Sequence, residues 1–252
     1  MTFTFFTSLI LLFILVLVFS LKSSPSLATL GVQSSKQVID LTHWKLTLPI
    51  GSSEKPDEIK QPQLYSFQNE WFKTDKDGTL RFKTPINGVT TKRSSYPRTE
   101  LRETNKGGSL ASWSSKKGKH TLFLEQAITA LPQTKQQLVA GQIHDAKDDI
   151  LVIRLENSKL WINVTGKNTY LLNPNYKLGE RFSIKFVVNN GQSQVFYNNK
   201  STTVFTLQKK YSNAYFKAGA YPQSNCSKEE KSLCNAQNYG EVIIYKALVT
   251  HE

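Results

Sequence analysis

Residues 181–197 read RFSIKFVVNNGQSQVFY, and this stretch decides the fold class. Phe182, Ile184, Phe186 and Val188 recur at every second position, which places them on one face of a β-strand. Asn189-Asn190-Gly191 follows, and Asn and Gly tolerate the positive φ that a tight hairpin requires. Residues 194–197 then resume as a return strand. The pattern extends outward from here. Residues 150–155 and 160–164 read as a second hairpin around Glu156-Asn157-Ser158-Lys159, and residues 122–131 and 241–249 read as further strands. Helical periodicity is hard to find beyond the amino-terminal segment. Many short strands separated by turn signals predict an all-β sandwich or barrel. Residues 52–63, rich in Pro and charge, read as a surface loop. Residues 106–119, rich in Gly, Ser and Lys, read as another, placed to move over a groove.

The chain has 252 residues, enough for one large β domain. Its first residues are a separate matter. Residues 9–19 are an unbroken apolar run followed by Ser20, Lys22, Ser23 and Ser24. That length suits the hydrophobic region of a secretory signal and is short for a membrane span, and Ser26-Leu27-Ala28 offers a small-x-small cleavage site. Residues 1–28 are therefore expected to be a signal peptide and 29–252 a single domain. The mature protein is expected to be secreted, monomeric and free of the membrane. No Lys or Arg precedes the apolar run, so a retained signal anchor is the alternative.

Cys226 and Cys234 are the only cysteines, and in an oxidising compartment they read as a disulfide closing a small loop just after Tyr221 and Gln223. Two free thiols are the alternative. Two Cys and four scattered His give no zinc-ligand spacing, so no metal or other cofactor is expected. Asn163-Val164-Thr165, Asn199-Lys200-Ser201 and Asn225-Cys226-Ser227 match the glycosylation sequon, which matters only in a eukaryotic host. The formal net charge is +13 and the pI about 9.6. Such a charge steers acidic polymers toward a protein. Nucleic acid is the competing partner, but no basic helix, zinc finger or RNA-binding strand signature supports it.

Three further segments carry the candidate chemistry: Arg98-Thr99-Glu100-Leu101-Arg102, Gln142-Ile143-His144, and YFKAGAYPQ at residues 215–223. Each alternates as a strand with one wet face does. Arg98, Glu100 and Arg102 share a face, as do Gln142 and His144, and as do Tyr215, Lys217, Tyr221 and Gln223. If these strands are neighbours, one sheet surface gathers cations, amides, a His and two Tyr. That surface suits an anionic polymer and places two titratable groups for proton transfer. Taken singly, each residue has a plainer role. Charged ladders on sheets are ordinary, a lone His is usually a polar surface or core group, and Tyr often packs. Glu100 reads as structural, orienting an Arg, or as part of the substrate surface. Gly219 reads as a bulge or close approach, and Pro222 as a strand end or edge.

The chain resembles alginate lyases of polysaccharide lyase family 7. RTELRE at residues 98–103, QIH at 142–144 and YFKAGAYPQ at 215–223 stand in that family's order, and DLTHWKLTLP at 40–49 is similar to the start of its domain. The resemblance implies a concanavalin A-like β-jelly roll, a sandwich of two antiparallel sheets with a concave substrate groove. It implies β-elimination on alginate: the C5 proton leaves, the 4-O-linked sugar is expelled, and a 4,5-unsaturated uronate remains. Arg98, Gln142 and His144 would neutralise the substrate carboxylate as charge accumulates there. Arg102, Lys217, Tyr215, Gln223 and Glu100 would bind substrate or set the local potential. Tyr221 would protonate the leaving oxygen. On mannuronate the same Tyr would also act as base; on guluronate His144 would. No metal is needed in this scheme. Ile143 accompanies activity on guluronate-containing blocks in this family. The other readings left open are a non-catalytic module that binds acidic polysaccharide and a lyase for another polyuronate such as glucuronan.

Overall fold

The structure is a computed structural model that describes residues 1–2 and 39–252. The expected signal peptide and its cleavage site lie outside the described residues. Residues 39–252 form the two-sheet antiparallel jelly roll. One sheet has 8 strands in the order β10 (Lys167–Asn173), β9 (Lys159–Val164), β8 (Asp149–Glu156), β7 (Gln137–His144), β14 (Tyr215–Pro222), β5 (Thr99–Glu103), β1 (Trp44–Ser52) and β2 (Lys55–Ile59). The other has 7, in the order β13 (Phe205–Gln208), β12 (Gln192–Tyr197), β11 (Phe182–Asn189), β6 (Lys119–Ala130), β15 (Tyr239–His251), β4 (Leu80–Pro85) and β3 (Phe72–Thr74). Among the described residues no helix is long and apolar enough to cross a membrane.

The hairpin read from residues 181–197 forms as expected. β11 pairs with β12 around Asn190 and Gly191, whose φ values of 50° and 76° match the mirror-image turn that suits twisted strands. The core follows from alternation. Leu46, Leu101, Phe216, Ala218 and Ala220 from the first sheet meet Leu122, Leu124, Ile184, Phe186 and Val242 from the second, all fully buried. Each large apolar side chain removed from water contributes about 1.5–3 kcal/mol, so the interface between the sheets dominates stability. A polar clasp adds to it at one end. Glu103 of β5 accepts from Trp113 Nε1 at 3.0 Å and from the Phe216 backbone N–H at 2.8 Å, and it contacts His251 of β15.

Two expectations need correction. Residues 52–63 are not only a loop, because Lys55–Ile59 is an edge strand paired with β1. Pro56 hid it, and an edge position is where Pro is tolerated. Residues 106–119 do not lie over the groove. Trp113, 9% exposed, pins them to the core and exchanges backbone hydrogen bonds with Ala214. Pro222 ends its strand as expected, and that strand, β14, is central, flanked by β7 and β5. Asn163 is 1% exposed, so the folded protein cannot present that sequon. Cys226 and Cys234 are disulfide-bonded, tying down the chain that leaves β14.

Candidate active site

The sequence segments expected to be neighbours occupy adjacent strands. β7, β14 and β5 lie side by side, and β1 continues the surface. Cross-strand register aligns Gln142 with Lys217, Lys217 with Arg102, and Arg102 with Lys45. One row thus presents an amide and three cations across the sheet. Tyr215 and His144 form the adjoining pair. Gly219 then lets β14 approach β5 closely. Gly219 has φ +138°, and a Cβ there would fall 2.6 Å from the Thr99 carbonyl oxygen. Pairing with β7 shifts register between Lys217 and Tyr221 while pairing with β5 does not, and the unbroken alternation of buried Phe216, Ala218 and Ala220 keeps Tyr221 on the face of Tyr215 and Lys217.

The resulting groove has a volume of about 310 Å³. Arg98, Arg102, Gln142, His144, Tyr215, Lys217 and Tyr221 line it, as the sequence predicts. Glu100 does not line it. Glu100 is 1% exposed and lies beneath the wet residues, where it accepts from Arg98 Nη1 at 3.2 Å and also holds Lys217 Nζ and Gln142 Nε2. It therefore holds three of the groove's polar side chains from beneath. Gln223 is also outside the lining, and its amide donates to the Tyr221 carbonyl at 3.3 Å.

Electrostatics follow from this burial. Burial works to raise the Glu100 carboxyl, but the Lys217 ammonium and the Arg98 guanidinium overcome it and hold the group below the ordinary carboxylate range. Burial, reinforced by Arg98, pushes Lys217 down to about 8 against the opposing pull of Glu100. With Arg98, Arg102 and Lys217 facing one buried carboxylate, the groove keeps a surplus of positive charge. Such a surplus attracts an anionic ligand.

Two titratable side chains, His144 and Tyr221, line the same groove. His144 Nδ1 lies 2.6 Å from the Asp145 carbonyl oxygen, an acceptor that fixes the proton on Nδ1 and leaves the Nε2 lone pair free. Tyr215 stacks on the ring at 5.2 Å, with its hydroxyl 3.1 Å from Nδ1. Burial, then Lys217, lowers the imidazole below its ordinary 6.5, so it is neutral near pH 7. The Arg98 guanidinium carbon lies 3.7 Å from the centre of the Tyr221 ring. The Tyr221 hydroxyl contacts Ser94 Oγ at 2.9 Å, and Ser94 Oγ is also 3.0 Å from the Tyr96 carbonyl oxygen. Ser94 can accept from the phenol while donating to Tyr96, or turn its proton toward a phenolate.

Sequence reading missed Ser94, Lys45 and Glu58. Ser94 lies in an aperiodic loop and left no pattern. Lys45 did leave one, since it stands between buried Trp44 and Leu46 on a strand and so must share the wet face with Thr47. Lys45 is held by Glu58 of the unrecognised edge strand. The chain after β7 adds Lys147, Asp148 and Asp149 to the lining. Burial, a hydrogen bond with Asp148 and the charge of Asp148 push Asp149 up to about 6. Among the described residues no group of three or more His, Cys, Asp or Glu could hold a metal ion.

Comparison with known proteins places this geometry. A family model described as alginate lyase matches residues 39–251. The alginate lyase from Corynebacterium sp. is 45% identical over 85% of this chain and 96% of its own, with a TM-score of 0.80. Alginate lyase AlgAT5, of polysaccharide lyase family 7, is also 45% identical, over 85% and 97%, with a TM-score of 0.79. The family 7 alginate lyase A1-II′, solved as a Tyr-to-Phe variant with product, is 27% identical over 86% and 99%, with a TM-score of 0.70. No curated protein matches the chain.

Proposed function

This chain belongs to the alginate lyase family, and from that premise we propose how its groove divides the work of β-elimination. The enzyme is a polysaccharide lyase that cleaves alginate. The proposal concerns its residues. Arg98 and Gln142, fixed by Glu100, receive the carboxylate of the sugar that loses its proton. Removing the C5 proton drives electron density onto that carboxylate, and donors already in place stabilise it without rearranging. Arg102, Lys217 and Lys45 hold carboxylates of neighbouring sugars.

On a guluronate residue, His144 Nε2 takes the C5 proton. The C4–O4 bond breaks as the C4–C5 double bond forms, and the Tyr221 hydroxyl gives its proton to O4. On mannuronate, Tyr221 serves both steps, with Ser94 turning its hydroxyl toward the transient phenolate. The observation that carries this assignment is the pairing of one neutral imidazole, lone pair free, with one phenol beneath a guanidinium in the same groove. A1-II′ was trapped with substrate as a variant lacking a His and a Tyr, the same two residue types. Guluronate-containing blocks are the preferred substrate in this reading, and Ile143 supports it only through packing, being fully buried.

The site of action is extracellular in the same reading. An oxidised Cys226–Cys234 pair and a polymeric substrate both support it. The test is ultraviolet absorbance over time on polyguluronate, polymannuronate and glucuronan separately. A rise fastest on polyguluronate supports the assignment. A rise on glucuronan alone would redirect it to another polyuronate, and a flat trace on all three with binding intact would leave a binding module.

A further inference from the structure

The outer face of the second sheet carries half-exposed aromatic rings and lysines in register. Phe196 of β12 pairs with Lys185 of β11, Lys185 with Phe123 of β6, and Phe123 with Leu248 of β15. Lys185 Nζ lies 4.2 Å from the centre of the Phe196 ring, and Lys246 Nζ lies 5.8 Å from that of Phe123. Beside this row is a cavity of about 160 Å³ lined by Phe123, Ser183, Lys185, Phe196, Asn199 and Lys200. A second, of about 150 Å³, shares Ser183 and Asn199 with it and adds Arg181 and Glu125. Together they offer about as much room as the catalytic groove.

The wall between them is built. The Ser183 backbone N–H donates to Asn198 Oδ1 at 3.1 Å, Ser183 Oγ donates to Asn199 Oδ1 at 3.1 Å, and the Asn199 backbone N–H donates to Ser183 Oγ at 3.0 Å. Glu125, the acid at this place, lies 3.4 Å from Arg181. Lys185 and Lys200 have no carboxylate partner among the described residues. An apolar protein partner would bury those ammonium groups without compensation. A uronate chain would not, because each of its rings has an apolar C–H face and a carboxylate.

We propose that this face is a second binding site for acidic polysaccharide, remote from the catalytic groove, with sugar rings on Phe123 and Phe196 and carboxylates on Lys185 and Lys200. It rests on alginate being the substrate and extends that reading to a surface outside the catalytic groove. The site lies on the sheet opposite the groove, so a short oligosaccharide occupies one or the other, while a long chain or a gel engages both. Linking two weak sites in this way raises retention through effective concentration and leaves the chemistry of either untouched.

The experiment compares the parent with Lys185→Ala/Lys200→Ala. Retention on immobilised alginate is measured in the Tyr221→Phe background, so that the gel survives. Turnover of an alginate tetrasaccharide is measured with Tyr221 intact. The expected result is retention weakened about five-fold or more, tetrasaccharide kcat/KM within about two-fold of the parent, and recovery in Lys185→Arg/Lys200→Arg. Unchanged retention overturns the site. Equal loss on a dextran sulfate gel also overturns it, since the face would then be a general polyanion patch. So does a dimer that dissociates in the double variant while retention holds. A parent that is retained yet inert on every alginate would sink the lyase reading and leave this site standing.

Discussion

The guanidinium of Arg98 lies 3.7 Å above the Tyr221 ring while its Nη1 donates to Glu100 at 3.2 Å. One side chain thus joins the buried carboxylate that orders the groove to the phenol proposed as the proton donor. The planar fork matters as much as the charge, because a lysine cannot stack, bind Glu100 and grip a sugar carboxylate at once. Arg98→Lys should therefore lower kcat on polyguluronate by about 10²-fold with a smaller change in KM, in line with loss of a pre-placed donor. Steady-state kinetics decide it, and a pure KM effect would reassign Arg98 to ground-state binding.

The pH profile should be set by two shifted groups. His144 must be neutral to act as base, and its imidazole is held below 6.5, so the acid limb of kcat/KM on polyguluronate should fall below that value. Lys217 loses its proton at about 8, so the alkaline limb should appear there in the free enzyme. A bound sugar carboxylate favours the ammonium, which moves the alkaline limb of kcat higher than that of kcat/KM. Coincident alkaline limbs would mean that Lys217 does not meet the substrate.

Asp149 should weaken the fold at neutral pH. Its carboxyl titrates at about 6 in the folded chain against 3.8 ordinarily. Ionisation is thus easier in the unfolded chain, and stability falls as pH rises between those values and stays lost above them. The full gap corresponds to roughly 3 kcal/mol, and partial exposure reduces this to about 1 kcal/mol. Asp149→Asn should raise the unfolding free energy at pH 7 by about that amount and flatten its decline between pH 4 and 6. Denaturant melts across that range check it.

Gly219 should tolerate no side chain. A Cβ would lie 2.6 Å from the Thr99 carbonyl oxygen and 2.9 Å from Glu100 Cα, at a φ that L-residues rarely adopt. Both contacts are backbone, so the strands must part. Gly219→Ala should cost at least about 2 kcal/mol and lower kcat as well, because Tyr221 follows two residues later on the same displaced strand. Calorimetry together with kinetics reads both effects.

Much of this was legible from alternation. Period-two patterns gave the faces of β5, β7, β11 and β14, because a sandwich buries one side of each strand. The order β7–β14–β5 was not legible, since these strands are far apart in sequence and only long-range packing joins them. The resemblance of three motifs supplied what periodicity could not. β2 escaped because Pro56 and exposed charges mark loops as readily as edges. Glu100 lies on the wet face by parity, yet its neighbours cover it, which no one-dimensional pattern reports. Ser94 escaped because its loop has no period at all.

The most direct measurement pairs turnover with binding in Tyr221→Phe. With Tyr221 as the proton donor to O4, removing one hydroxyl should cut kcat on both polyguluronate and polymannuronate by about 10³-fold or more, while oligosaccharide affinity stays within several-fold. Retention of full activity in that variant would contradict the account.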